Sequence, residues 1–252
     1  MMLLLATLIF FTRLPFWRIK DVPAEDFKRV VPRWPIVGWL TGFTMALVLW
    51  LCSHVMPLTL AWILAIVSRL LLTGCLHEDG LADFIDGFGG GTTRERTLAI
   101  MKDSHIGTYG VIGLIVYFAL LLQLPSVFSR DTLCLLVLCG DCWAKCCAAQ
   151  LINFLPYART EEGAKNKTVY TRMTLGELLL CFFFGLAPTF VMCFALDWMP
   201  RSFCWMLLVP VAVLLLLTLL MKRRIHGYTG DCCGATFLLC ELAFYLSIIP
   251  ML

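Results

Sequence analysis

Charged residues are scarce in this chain. They make up 15% of its 252 residues, whereas residues of the AVILMFWYC set make up 60%, and the mean hydropathy is +0.87. A soluble domain carries about 25% charged residues, so this composition excludes an ordinary water-soluble fold. The formal net charge of +3 is too small to indicate a nucleic-acid partner. We therefore expect the chain to lie in a lipid bilayer.

Other features are also lacking. No repeat, low-complexity segment or long polar linker divides the sequence, so we expect a single domain over residues 1–252. The opening run Met1–Phe11 has neither a basic n-region nor a small-residue cleavage site, which argues against a signal peptide. It is too short to span comfortably. We expect an interfacial or partly inserted helix there.

The cysteines do not form a disulfide or zinc pattern. There are 13 of them, an odd number, and most lie inside apolar runs. Cys139 and Cys142 form a CxxC followed by Cys146 and Cys147, but no second pair matches it. We interpret the cysteines as small apolar packing residues, with a metal or redox site as the less favoured alternative.

Long apolar runs are plentiful, and they predict an all-α, polytopic membrane protein. A membrane-spanning helix needs roughly 18 to 20 apolar residues. Seven stretches approach or exceed that length: Ile36–Cys52, Leu58–Leu76, Ile106–Phe128, Thr132–Leu155, Gly176–Leu196, Phe203–Met221 and Cys233–Leu252.

The basic residues predict the orientation of these spans. Sixteen lysines and arginines fall in the N-terminal segment or in the loops after the second, fourth and sixth spans, against Arg130 and Arg201 in the opposite loops. The positive-inside rule then places the larger polar segments in the cytoplasm. We expect the chemistry on that single face of the membrane.

Acidic residues are few and clustered. In a helix, Asp79, Asp83 and Asp86 would lie within an arc of about 60°. Carboxylates this close repel one another, and no lysine accompanies them. A divalent cation would relieve the repulsion, and oxygen-only ligands suit Mg²⁺, Mn²⁺ or Ca²⁺. The alternative interpretation is a solvated acidic face.

Two further polar patches follow. A glycine run and a short helix, expected over about Thr93–Asp103 with Thr92 as its cap, would return Lys102 and Asp103 toward the acidic stripe. An ordinary helix-end pair explains them equally well. Arg223 precedes the turn Thr229–Gly230–Asp231, which could hold a phosphate or a second metal ligand. Membrane-surface anchoring is the slightly favoured interpretation for Lys222–Arg224, but it does not explain the turn.

These segments resemble one enzyme family. His77–Gly87 is similar to the H-x-D-G-L-A-D-x-x-D-G segment of cobalamin synthases, the adenosylcobinamide-GDP ribazoletransferases. Ile100–Gly110 resembles that family's I-M-[KR]-D-S-x-x-G-x-x-G, and Gly227–Asp231 its G-x-T-G-D. Phe11–Pro15, Pro35–Gly38 and Tyr157–Arg159 also fall in the expected order.

The resemblance implies a reaction. A ribose hydroxyl of α-ribazole, or of its 5′-phosphate, attacks the phosphate of adenosylcobinamide-GDP that is nearer the cobinamide, and GMP leaves. The product is adenosylcobalamin or its 5′-phosphate. A carboxylate-held Mg²⁺ would neutralise the diphosphate. The implied setting is the bacterial cytoplasmic (inner) membrane, and candidate protein partners are a second copy of the chain and other corrinoid-pathway proteins.

The resemblance also implies roles for individual residues. Catalysis would fall to Asp83, Asp86 and Asp103, and the metal would be held by Asp79, Asp83, Asp86 and Asp103. The substrates would be bound by His77, Lys102, Arg159, Arg223, Thr229 and Asp231.

Two other classes of membrane protein are alternatives. CDP-alcohol phosphotransferases share a D-x-x-D-G, which Asp83–Gly87 matches, but Gly90–Gly91 stands where they have A-R. Their downstream G-x₃-D-x₃-D is missing too. An ion-coupled transporter would use the intramembrane charges at Arg69, Asp141, Lys145 and Glu241, yet no repeated half is visible.

Overall fold

The computed structural model describes residues 1–159, 169–196 and 200–251, and in these residues the only extended pairing is one bridge between Tyr157 and Tyr228. All other regular structure there is helical. The α-helices are α1 (Met2–Phe11), α2 (Ala24–Phe27), α3 (Trp34–Cys52), α4 (Leu58–Thr73), α5 (Leu76–Gly90), α6 (Arg94–Lys102), α7 (Thr108–Leu121), α8 (Arg130–Ala149), α9 (Leu151–Phe154), α10 (Leu175–Leu196), α11 (Pro200–Arg224) and α12 (Gly230–Ile248).

Six helical segments within the described residues are long and apolar enough to cross a membrane. They are Val31–Cys52, Thr108–Ser126, Arg130–Phe154, Leu175–Phe194, Phe203–Arg224 and Gly230–Ile248. These correspond to six of the seven predicted spans and confirm the all-α membrane fold. The last helix begins at Gly230, three residues before the predicted Cys233, so that its first turn carries Asp231.

The second predicted span, Leu58–Leu76, is wrong in its extent. Helix α4 ends at Thr73 after 16 residues, and α5 leaves it at an angle of 89°. Gly74 and Cys75 both adopt left-handed backbone angles, with φ of 65° and 58°. This conformation ends a helix. The broken pair counts as a seventh span only if both helices together cross the membrane.

Helices α8 and α12 form the centre of the bundle, and α7 and α11 lie outside. In the span segments, 78% of α8 and 72% of α12 are buried inside the protein, against 22% for α7 and 17% for α11. The outer helices expose large apolar side chains such as Ile112, Leu208 and Leu216. An apolar exterior of this extent matches a lipid environment.

The intramembrane charges pair with each other in the core. Lys145 binds Asp141 on the same helix, as the i, i+4 spacing predicted, and Arg69 binds Glu241. All four side chains are at most 1% exposed. Glu241 faces the bundle interior, as expected.

The basic segments meet at one end of the bundle, which we call the polar end (residues 13–33, 74–107, 156–159, 169–177 and 222–231). Arg29 binds Glu177 across an Nη2–Oε1 distance of 2.8 Å, and Thr171 N donates to Lys28 O. Arg94 donates to the carbonyls of Ile225 and Ala158. Lys165, Lys167 and most of the predicted loop Asp197–Arg201 lie outside the described residues.

Candidate active site at the polar end

Helices α5 and α12 approach each other backbone to backbone at two glycines. A Cβ added to Gly80 would lie 3.1 Å from both Cα and O of Asp231, and one added to Gly234 would lie 3.2 Å from the carbonyl of His77. A side chain at either position would force the two helices apart by a few tenths of an ångström. The close approach places the first turns of the two helices, with their site residues, side by side.

A cavity of about 140 Å³ opens where these first turns meet α1, α3 and the loops around residues 157 and 170. Four predicted site residues, which come from three separate segments of the chain, line it: His77, Asp79, Arg159 and Asp231. Much of the remaining wall is aromatic and comprises Phe10, Phe11, Trp34, Tyr157 and Tyr170.

The two carboxylates of the cavity differ in their surroundings. Asp79 is exposed on the first turn of α5. Asp231 is 9% exposed and lies in the first turn of α12, where the positive end of the helix dipole stabilises an anion. Thr229, predicted to bind substrate, is the N-cap of α12: it accepts from Cys232 N and donates to Asp231 Oδ2 at 3.3 Å.

The cavity's polar groups include a fixed guanidinium. Arg159 donates from Nη2 to the carbonyl of Leu98 at 2.8 Å, which anchors the side chain to α6. A guanidinium has five N–H donors, so the other donors of Arg159 remain for an anion.

The cavity wall also carries a tyrosine hydroxyl. Burial raises the pKa of Tyr157 to about 12, and its hydroxyl stays protonated at neutral pH.

The carboxylate of Asp86 is bound by the start of α7. The residue is 7% exposed, and its two oxygens accept from Gly107 N at 2.7 Å and Gly110 N at 2.8 Å, the amides that begin α7. The carboxylate of Asp86 therefore caps a helix, and its assignment to metal and catalysis stays a prediction. Asp83, half-buried between Asp79 and Asp86 on α5, keeps its predicted role as a proposal.

Three predicted residues lie apart from the cavity wall: Lys102, Asp103 and Arg223 are exposed at the polar end. Asp103 Oδ1 accepts from His105 N at 3.0 Å and contacts the His105 ring at 2.7 Å. These hydrogen bonds, that of the ring first, lower the pKa of Asp103. The expected return of α6 to the acidic stripe therefore does not bring these side chains into the cavity.

Sequence reasoning missed several structural residues. The cap of α6 is Thr93, which accepts from Arg96 N, and not Thr92. Arg94 and Arg224 bind backbone carbonyls across the polar end, the latter at Gly91. In the sequence, Arg94 and Arg224 were visible only as loop charges, because their partners are carbonyls up to 136 positions away.

Comparison with known proteins gives a consistent result. The sequence model of the cobalamin-5-phosphate synthase family matches residues 3–249. Adenosylcobinamide-GDP ribazoletransferases of Shewanella amazonensis, Shewanella woodyi and Shewanella putrefaciens are 36%, 35% and 33% identical to this chain. These alignments cover 98%, 95% and 98% of the chain and 94%, 92% and 93% of the relatives. No solved structure matches.

The chain belongs to the cobalamin-5-phosphate synthase family. The resemblance seen in the sequence is thereby confirmed. Segments that carried it converge at the polar end: Phe11, His77, Tyr157 and Asp231 come from four of them and line one cavity.

The donor set at the cavity fits a hard divalent cation. Mg²⁺ at phosphate sites is usually held by one or two carboxylates together with phosphate oxygens of the substrate. Asp79 and Asp231 on the cavity wall supply such carboxylates. Among residues 1–159, 169–196 and 200–251, no group of three or more His, Cys, Asp or Glu side chains is placed to hold a metal ion. The cysteines there are free and mostly buried, as expected for packing residues.

Proposed function

We propose that this protein is an adenosylcobinamide-GDP ribazoletransferase of the final nucleotide-loop assembly of cobalamin. It joins adenosylcobinamide-GDP and α-ribazole, or α-ribazole 5′-phosphate, and releases GMP. The enzyme activity for which its Shewanella relatives are named supplies the reaction. The observation that carries the proposal is the cavity, since it brings together His77, Asp79, Arg159 and Asp231 from three separate segments of the chain.

The residues of the cavity suit phosphoryl transfer, which depends on positioning and charge neutralisation more than on covalent chemistry. Arg159, held at Leu98 O, is oriented to bind a phosphate oxygen. Asp79 or Asp231 accepts the proton of the attacking ribose hydroxyl. The positive N-terminus of α12 adds a fixed dipole beside the diphosphate.

Magnesium is the proposed cofactor, with Asp79, Asp83 and Asp231 as its candidate ligands. Bound there, it would neutralise the diphosphate and the departing GMP. Asp103, which is exposed and bound to His105, is assigned no ligand role in this proposal.

We further propose that the polar end faces the cytoplasm of a bacterial inner membrane. The basic residues that cluster there support this orientation through the positive-inside rule. Both substrates then reach the site from the cytoplasm. The candidate protein partners are a second copy of the chain and other corrinoid-pathway proteins.

A reconstituted assay tests the function. The full chain in lipid vesicles is given adenosylcobinamide-GDP, α-ribazole and Mg²⁺, and GMP and the cobalamin product are measured. We expect one GMP for each product molecule, no product without ribazole, and loss of turnover with a chelator that excess Mg²⁺ restores. Turnover of cytidine nucleotides instead would favour the CDP-alcohol phosphotransferase alternative, and no nucleotide chemistry at all would contradict an enzyme of either class.

A further inference from the structure

Two buried aromatic side chains of the cavity have polar atoms without partners. Trp34 is 1% exposed and His77 is 2% exposed. Neither Trp34 Nε1 nor either ring nitrogen of His77 has a hydrogen-bond partner among the residues that the structure describes. Buried polar groups in proteins are nearly always hydrogen-bonded. A ligand with a nitrogen or oxygen atom at this wall would satisfy them.

The same side chains belong to a cluster of nearly parallel aromatic rings. The rings of Phe11 and Trp34 are stacked with centroids 4.9 Å apart and planes 7° apart. The ring of His77 lies 5.5 Å from that of Trp34 and 6.3 Å from that of Phe11, with planes 23° and 17° apart. Phe237 closes the far side, with its ring 4.8 Å from His77. Such aromatic layers favour the insertion or stacking of another flat ring.

The buried charges of the core lie beyond Phe237. Lys145 Nζ is 4.4 Å and Arg69 Cζ 5.7 Å from the centre of its ring. The Phe237 ring therefore lies between His77 and these cations. A ligand that packs against His77 meets this aromatic ring and not the buried charges.

The size and polarity of the cavity further limit which ligands it can bind. A cavity of about 140 Å³ is close to an engineered cavity of about 150 Å³ that binds benzene, so it suits one small ring system and not a corrin. The apolar side chains of Val31 and Leu76 complete the wall near Trp34. The polar groups of the cavity, Asp79, Arg159 and Asp231, suit a sugar and a phosphate attached to that ring.

We propose that this cavity binds the benzimidazole base of α-ribazole, with Trp34 Nε1 or a protonated ring nitrogen of His77 donating to the unsubstituted nitrogen of the base. The inference rests on the proposed function. It fits this base better than guanine, because guanine would also bury an exocyclic oxygen and amine against apolar side chains. The base would then hold its ribose near the carboxylates.

Two ring-preserving changes test the inference in the full-length protein in vesicles. Trp34→Phe and His77→Phe keep an aromatic ring and remove the donor. The variant that loses the donating group is expected to raise the KM for α-ribazole about tenfold, while the KM for adenosylcobinamide-GDP and kcat at saturation change by less than about twofold. An unchanged KM for α-ribazole in both variants would overturn the inference. Trp62→Phe is the matched control, since Trp62 is fully buried but already donates to Leu121 O at 2.9 Å, away from the cavity. It should change neither KM.

A binding measurement avoids dependence on the variants' folding. Free 5,6-dimethylbenzimidazole should bind the wild-type protein, as measured by saturation-transfer NMR. Added α-ribazole should displace it, and added GMP should not. Displacement by GMP, or a raised KM only for adenosylcobinamide-GDP, would assign the cavity to guanine and overturn the inference. Absence of base binding in a wild-type protein that releases GMP would also overturn it and leave the function intact. A wild-type protein that releases no GMP would refute the proposed function itself.

Discussion

At the scale of single residues, three aspartates on one helix have three different surroundings. Asp79 lines the cavity, Asp83 is half-buried, and Asp86 is bonded to the amides that begin α7. The sequence spacing placed them on one face of a helix, which the structure confirms. Spacing could not separate their roles, because these depend on Gly107 and Gly110 from another segment.

An asparagine substitution is expected to reduce activity at Asp79 and stability at Asp86. Asp79→Asn removes a negative charge from an exposed cavity residue, so turnover should fall about a hundredfold or more with unchanged thermal stability. Asp86→Asn removes the negative charge at the N-terminus of α7 and one of the two carboxylate oxygens that accept from its amides. This loss should lower the free energy of unfolding by about 1–2 kcal/mol. GMP release and fluorescence-monitored thermal unfolding measure the two effects. Wild-type turnover of Asp79→Asn at limiting Mg²⁺ would contradict its metal role.

The adjacent arginines 223 and 224 provide a second comparison. Arg224 donates to Gly91 O and lies 5.9 Å from the centre of the Phe88 ring, whereas Arg223 is exposed. Arg224→Ala should therefore lower the unfolding temperature by a few degrees. Arg223→Ala should leave it unchanged and raise the KM for the GDP-bearing substrate more than it lowers kcat. An unchanged KM would make Arg223 a membrane-surface anchor.

At the scale of elements, hydropathy predicted most helices but not where the second span breaks. Hydropathy stays high through Leu76, and the one sequence signal for the end of α4 at Thr73 is the glycine that follows it, Gly74. The break depends on tertiary contacts: Arg13 N donates to Leu72 O at 2.7 Å, and the Arg13 side chain occupies the space where a Cβ of Gly74 would lie. Cys75 is also an unusual residue for a left-handed conformation.

Because α5 and α12 are in close contact at Gly80, adding one methyl group at this position is expected to lower kcat. In Gly80→Ala the new Cβ meets the backbone of Asp231 at 3.1 Å, so the helices must separate by a few tenths of an ångström. We expect kcat to fall about tenfold, because catalysis is sensitive to small misplacements of the carboxylates. The control is Gly90→Ala on the same helix, where the nearest atom would be 3.5 Å away. Equal kcat values for the two variants would show that this contact does not position the site.

At the scale of the whole molecule, a buried polar network joins six helices. Arg69 of α4 binds Glu241 of α12 and lies 3.8 Å from Asp141 of α8 and 3.9 Å from Glu78 of α5. Thr41 of α3 and Tyr117 of α7 add hydroxyl groups. The local pair Asp141–Lys145 was predictable from its spacing. The rest was not, since those contacts join positions up to 172 residues apart.

Removing one charge of this network should destabilise the protein strongly. Arg69→Met leaves Glu241 buried without its cation, which typically costs about 3–5 kcal/mol. The second change Glu241→Leu should recover most of that loss. Thermal unfolding followed by size-exclusion chromatography measures both, and Arg18→Met, at an exposed position, is the control. A double variant no more stable than Arg69→Met would contradict this view of the network.

Thiol labelling tests the orientation proposed for the whole molecule. Ser104 lies in the exposed turn between α6 and α7 at the polar end, and Ser126 is exposed beyond the far end of α7. Each is changed to cysteine in a Cys75→Ser/Cys204→Ala background, because those two native thiols are exposed. If the polar end is cytoplasmic, a membrane-impermeant maleimide should label Ser126→Cys in intact cells and Ser104→Cys only after permeabilisation. The reverse pattern would place the cavity on the outer face of the membrane and contradict the proposed orientation.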